Sequence, residues 1–158
     1  MEEVVHAHGH EHVSAQHAST FEVTSDDWLT PAGDCILAVE ADRTPSDFDE
    51  AFVEACQDEA ATITATFEVD GLTETVVGRG HPGLSFENDR SMVGRTSDHT
   101  DDRTFMIHAD FAAEEFDRDL VDALADGADL TLTLTVSVEH PARHYNRLVS
   151  AANALCAV

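Results

Sequence analysis

Residues 41–55, ADRTPSDFDEAFVEA, lie without a gap on residues 109–123, ADFAAEEFDRDLVDA. Ala41, Asp42, Phe48, Asp49, Val53 and Ala55 match Ala109, Asp110, Phe116, Asp117, Val121 and Ala123. Upstream, TSD at 24–26 answers TSD at 96–98, GHEHVSA at 9–15 answers GHPGLSF at 80–86, and Val4-Val5 answers Val76-Val77. Such matches in one order mark an internal duplication, with units at about 3–70 and 75–137; the second is about four residues shorter in the WLTPAGD loop. Nothing constrains the fold more, because whatever one copy forms the other must form again. An open solenoid needs at least ~3 repeats. A closed pseudo-symmetric domain over 1–138 is therefore expected, with 139–158 as a tail or short helix outside the repeat.

Each unit predicts the same elements. An extended stretch comes first, VVHAHGHEHVSA and then STFEVTS, with period-two alternation. A β-rich run follows, DCILAVEAD or RTFMIHAD, and then a helix. In the first copy Thr44 is the expected N-cap, with Pro45 at the first helical position and Asp47 in the first turn. Phe48, Ala51, Phe52, Ala55 and Cys56 then share one buried face. Phe116, Leu120, Ala123 and Leu124 repeat it, and Gly127 lies just past the end. Threonine-alternating strands, ATITATFEV and ADLTLTLTV, close each unit, and Asp70-Gly71 is a hairpin signal leading into TETVVGRG. The expected fold is mainly β (α+β): an antiparallel two-sheet sandwich or jelly-roll-like barrel built from two ββαβ-type repeats, with two helices over its ends or one face.

Charge constrains the environment rather than the fold. The chain carries 32 acidic residues and a net charge of −24, and its eight basic residues are all arginine. In molar salt the Debye length falls to ~3 Å, which screens the self-repulsion. The composition reads as adaptation to a salt-rich cytoplasm, and 42% hydrophobic content in periodic segments argues against disorder. No apolar run is long enough to span a membrane, and the acidic, His-rich start does not read as a signal peptide. Cys35, Cys56 and Cys156 are scattered without a CxxC, as expected of reduced thiols in the cytoplasm.

The ordered motifs GHxxVxAxHxSTxEVT, LTxxGDCI, the AD turns and the second GHP resemble an uncharacterised archaeal family, domain of unknown function family 371. The resemblance runs from residue 3 to about 138 and implies a β-rich sandwich of jelly-roll type, with no established activity. The family pattern includes Gly9-His10, His17, Gly33-Asp34-Cys35 and Gly80-His81, but not His6, His8 or His12.

Four sets of residues could carry chemistry. On an extended strand His6, His8, His10 and His12 would project from one face at ~6.6–7 Å spacing. Such residues could converge on a divalent transition metal such as zinc, with His10, His12 and His17 as ligands and Asp34 or His81 as alternatives. The same pattern also describes a solvated strand face. Duplication places His10 and His81 at equivalent positions, either facing each other or each bonded locally on opposite sides. Asp34 could act as a general base with Cys35 beside it as a nucleophile, or the pair could simply shape a turn and fill the core. The repeat sets Asp34-Cys35 on Asp102-Arg103. Arg79, Arg90, Arg95 and Arg103 cluster near Gly80-His81, fitted either to a small anionic ligand or to internal acids.

Two functional classes follow. The first is a cytoplasmic binding or regulatory module for a small anionic ligand or a protein, with a His/Asp-lined polar site and His81, Arg95 and Arg103 as ligand contacts. The second is a metal-assisted hydrolase or lyase in which metal-bound water is activated, with Asp34 as base. Nucleic acid ranks last, because a phosphate-binding surface loses affinity steeply with salt. A homo-oligomer is compatible with either class. The sequence before the apolar end, with His140, Arg143, His144, Tyr145 and Arg147, departs from the repeat.

Overall fold

The alternating apolar positions of the extended segments become strands in a computed structural model, which describes residues 1–139. In chain order these are β1 (Glu2–His8), β2 (Thr20–Thr24), β3 (Ile36–Ala38), α1 (Glu50–Cys56), β4 (Ala61–Val69), β5 (Leu72–Arg79), β6 (Ser91–Arg95), β7 (Thr104–Met106), α2 (Arg118–Ala125) and β8 (Asp129–Val138). Each half thus reads β-β-β-α-β, with the short β3 and β7 inside the expected β-rich runs DCILAVEAD and RTFMIHAD. The predicted tail at 139–158 falls almost wholly outside the described residues.

One sheet has the order β1-β8-β4-β5 and the other β3-β2-β6-β7. All pairs in the first sheet and the central β2–β6 pair are antiparallel, but β3 runs parallel to β2, and β7 parallel to β6. The all-antiparallel expectation therefore fails at these two edges. A long loop separates each edge strand from its partner, which permits a crossover that a tight hairpin forbids. The sheets stack as a sandwich without closing into a barrel, and at each seam they touch through one isolated bridge, His8–Val39 and Arg79–Ile107.

The two halves share their hydrogen bonds as well as their order. Glu22 N–H donates to Cys35 O and Val93 N–H to Arg103 O, at 2.9 and 2.8 Å. His6 and Val77 donate their N–H groups to the carboxylates of Asp42 and Asp110, at 2.8 and 3.0 Å. Asp49 and Asp117 donate theirs to Glu3 and Glu74, at 2.8 and 2.9 Å. One detail of the sequence alignment shifts: Ser25 N–H binds Arg90 O as Thr96 N–H binds Ser19 O, so Ser25 corresponds to Thr96 rather than to Ser97.

The helices begin later than their sequence signals indicate. Pro45–Asp47 and Ala113–Glu115 form separate 3-10 turns, and Phe48 and Phe116 are extended at ψ 149° and 145°. Thr44 and Pro45 start that turn, with Asp47 accepting from Thr44 N–H at 2.8 Å. Asp49 and Asp117 cap the true helices, accepting from Ala51 N–H at 3.2 Å and Asp119 N–H at 2.8 Å. Contacts at both ends show α1 crossing one open end of the sandwich: Asp49 meets Glu3 at the start of β1, and Cys56 O accepts from His81 N–H past the end of β5. α2 closes the other end in the same way, from Glu74 to Gly9.

Between the sheets, Phe21 stands with its ring 5.7 Å from each of Phe67, Phe105 and Phe116. All four are essentially buried, and truncating such a ring to alanine costs about 3–5 kcal/mol. Asp70-Gly71 forms the expected two-residue hairpin turn, with φ of +49° and +78°. No described helix is long and apolar enough to cross a membrane.

Candidate functional site

The histidine run does not form one strand face. β1 ends at His8, and the chain turns at Glu11-His12, so His10 and His12 leave the sheet. Gly9 causes the departure: its N–H binds Ala128 O at 2.8 Å, and a Cβ there would collide with the carbonyl of Leu124 at the end of α2. Gly80 sits in the same way against Cys56 O and Asp58 O. Close approach is thus the role of both glycines, and neither has positive φ.

Each following histidine closes a turn. His10 Nδ1 accepts from His12 N–H at 3.0 Å, and His81 Nδ1 accepts from Gly83 N–H at 2.8 Å. The next bond of each turn also repeats, Val13 N–H to His10 O and Leu84 N–H to His81 O. β1 and β5 are opposite edges of one sheet and run antiparallel. The two histidines thus sit at diagonal corners at least ~14 Å apart, three strand spacings, and share no site. His17 Nδ1 accepts from Ser19 and Thr20 N–H at 3.2 and 3.1 Å. In the second half Asn88 Oδ1 takes that role, accepting from Arg90 and Ser91 N–H at 2.9 and 2.8 Å.

An imidazole whose Nδ1 accepts a hydrogen bond carries its proton on Nε2 when neutral, which leaves no free lone pair there for a metal. His10, His17 and His81 are all held in this form. His12 Nε2 lies 4.0 Å from Glu11 and its ring 5.3 Å from that of His10. Among the described residues, no three His, Cys, Asp or Glu side chains gather as a metal site would require.

Arg95 and Arg103 do converge, on the outer face of the β3-β2-β6-β7 sheet. Arg95 donates to Thr104 Oγ1 at 2.8 Å and to Asp101 Oδ2 at 2.9 Å. Arg103 lies 3.7 Å from both Asp101 and Glu22. Burial pushes the Asp101 carboxyl up, but hydrogen bonds from Thr104 and Arg103 N–H and the two guanidinium charges outweigh it and hold it below 3.8. Glu22 is the unusual group. Its side chain is 13% exposed, and among the described residues no hydrogen bond reaches its carboxyl, whose 3.7 Å ion pair with Arg103 is long. Burial raises it above its ordinary 4.5, against the pull of Arg103 and Arg95.

Glu22 opens into a groove of about 300 Å³. Its floor includes Thr24, Ile36 and Ser91, and its rim Asn88, Arg90, Arg103, Asp26 and Trp28. Arg90 donates through Nε to both Asp26 oxygens at 2.8 and 3.0 Å, and its guanidinium lies 5.9 Å over the ring of Trp28. Trp28, the chain's one tryptophan, is 54% exposed.

Asp34 and Cys35 stand beside this groove rather than in it. Asp34 contributes its carbonyl to Gln16 N–H at 2.9 Å. Burial, then the neighbouring Glu22 charge, pushes the Cys35 thiol up, which opposes a nucleophilic thiolate. Sequence reasoning found Arg95 and Arg103 but missed Glu22, Asp26 and Trp28. The available signal for Glu22 was its alternation with Thr20 and Thr24 on an outward strand face.

Comparison with known proteins supplies no reaction. An uncharacterized protein of Methanocaldococcus jannaschii is 38% identical over 136 residues, covering 86% of this chain and all of the relative. The family model for a domain of unknown function, DUF371, matches residues 5–137, and the chain belongs to that family.

Proposed function

We propose that the protein is a cytoplasmic binding module for a small anionic molecule, held in the groove over Glu22. The observation that carries this reading is the Glu22 carboxyl, 13% exposed beside a 300 Å³ groove, with a 3.7 Å ion pair to Arg103 and no hydrogen bond from another described residue. A hydrogen bond to a charged group is worth about 1.5–3 kcal/mol, and a carboxylate so little hydrated, with only a long ion pair, has room to accept one from a ligand N–H or O–H. Arg103 reaches Glu22 and Asp101 only at 3.7 Å, so its fork is free to turn to a carboxylate or phosphate. Trp28 and Ile36 offer the apolar flank. The ligand thus combines an anionic group with a neighbouring donor, as hydroxy acids, amino acids and sugar phosphates do. The free thiols of Cys35 and Cys56, the latter pushed up to about 12 by burial, suit a reducing cytoplasm. Among the described residues no convergence of side chains favours the histidine-metal hydrolase.

Trp28 gives a direct readout, since its fluorescence is the only tryptophan signal. Those three compound classes would be titrated against the wild type and the Glu22→Gln and Arg103→Ala variants, following emission and Tm. At least one compound should change both in the wild type, weakened tenfold or more in each variant. A set that leaves wild-type emission and Tm unchanged overturns the proposal. The unliganded Glu22→Gln variant tests the electrostatics. A carboxyl raised on folding favours the native state at low pH, and that stability is lost as pH rises from 4.5 through the folded value. Glu22→Gln should therefore have the higher Tm at pH 7 and a flatter profile above pH 4.5.

A further inference from the structure

The two seams where the sheets meet are equivalent in backbone and opposite in charge. His8 bridges Val39 at one, and Arg79 bridges Ile107 at the other. The residue after each bridge partner, Glu40 or His108, takes positive φ, +53° and +50°. Across the first sheet His8 pairs with Asp129, and Arg79 with Thr62. One seam therefore holds His8, Glu40 and Asp129, and the other holds Arg79, His108 and Thr62 at the corresponding places. In the first, His8 Nε2 is 3.4 Å from Glu40. In the second, Arg79 donates to Thr62 Oγ1 at 3.1 Å and has no carboxylate among the described residues within ion-pair reach. Asp110, two residues past His108, has Oδ1 turned to Val77 N–H.

The other described arginines all have partners: Arg43, Arg90 and Arg95 pair closely with acids, Arg103 lies 3.7 Å from two carboxylates, and Arg118 is bonded to four backbone carbonyls. In a chain of net charge −24, an uncompensated guanidinium is the exception. It lines a cavity of about 310 Å³ together with His108, Thr62 and Gly78. We propose that this β5–β7 seam is an oxyanion site, independent of the groove over Glu22, in which Arg79 binds a phosphate or carboxylate bidentately beside His108 and the Thr62 hydroxyl. A planar fork matches two oxygens of either group, and a neighbouring imidazole N–H and a hydroxyl can donate to a third oxygen or to the outer lone pairs.

The first seam supplies the test, because its residues already occupy this backbone in the same molecule. The double variant Arg79→His, His108→Glu places the His8–Glu40 pair on the second side and should fold. Labelled full-length wild type and variant would be titrated by NMR with inorganic phosphate and, separately, acetate at constant chloride. The Arg79 side-chain and His108 signals should shift saturably with at least one anion, and binding to the variant should be at least tenfold weaker. Saturation by phosphate identifies a phosphate site, and saturation by acetate alone a carboxylate site. Failure of both anions to saturate, or equal binding by the variant, overturns the proposal. The Trp28 indole keeps the sites separate: an anion that moves Trp28 and leaves His108 still speaks for the groove and against the seam.

Discussion

The outer face of the β3-β2-β6-β7 sheet presents one backbone twice, with two sets of side chains. In the first half Thr24 and Ile36 leave room above the strands, and the groove over Glu22 occupies it. In the second half Arg95 and Thr104 stand where the first has Thr24 and Ile36, and with Asp101 they bind one another at 2.8–2.9 Å and leave Arg95 only 12% exposed. A short hydroxyl and an aliphatic side chain leave a recess, whereas an arginine and a threonine joined through an aspartate fill the same space with a closed polar network. The duplication thus fixes where strands and turns lie, and the groove arises where the copies have diverged. The seams teach the same point in charge rather than volume, since His8-Glu40 is paired where Arg79-His108 is not.

Four substitutions would break or sharpen this contrast. The largest effect is expected where the halves agree. Gly9→Ala and Gly80→Ala each drive a methyl into a helix-end carbonyl and should each cost about 3 kcal/mol or more in urea denaturation, at or beyond the upper end for overpacking. A large loss at one glycine alone would mean that the two turns are not mechanically equivalent. Next comes the filled half. Asp101→Ala strands Arg95 and should cost about 2 kcal/mol at pH 7, in the range for charged hydrogen bonds. The wild-type Asp101 carboxyl is held below 3.8, so its contribution is present above that pH and lost as pH falls through the folded value. The variant and wild type should therefore converge in acid. Smallest is His17→Asn, which installs the acceptor that Asn88 supplies in the other half and should change stability by less than about 0.5 kcal/mol. A larger loss would show that the imidazole at 17 does more than close its loop.

Much of the architecture was legible because it depends on local pattern. The repeat, the Asp70-Gly71 hairpin and the threonine-alternating strands all follow from near neighbours. The helix starts were misread because Thr44-Pro45 begins a 3-10 turn as readily as an α-helix, and the extended Phe48 then resets the chain so that Asp49 caps instead. The histidine run misled for a tertiary reason, since Gly9 must meet the end of a helix that lies more than a hundred residues later. The groove was the least legible part. Glu22 becomes a buried carboxyl beside Arg103 only once β2 pairs with β6, and no local signal announces that juxtaposition.

The order β1-β8-β4-β5 has a kinetic consequence. The first strand of each half is completed by the last strand of the other, so Glu2 is opposite Thr135 and Gly80 docks on the end of α1. Neither half can finish its sheet alone, and the loop-closure entropy of nearly the whole chain must be lost before the outermost pairing returns any stabilisation. Such high contact order belongs to domains that fold in milliseconds to seconds rather than microseconds. The chain is in effect a homodimer tied at a two-residue turn, and during synthesis its first strand stays without a partner until the last strand has emerged.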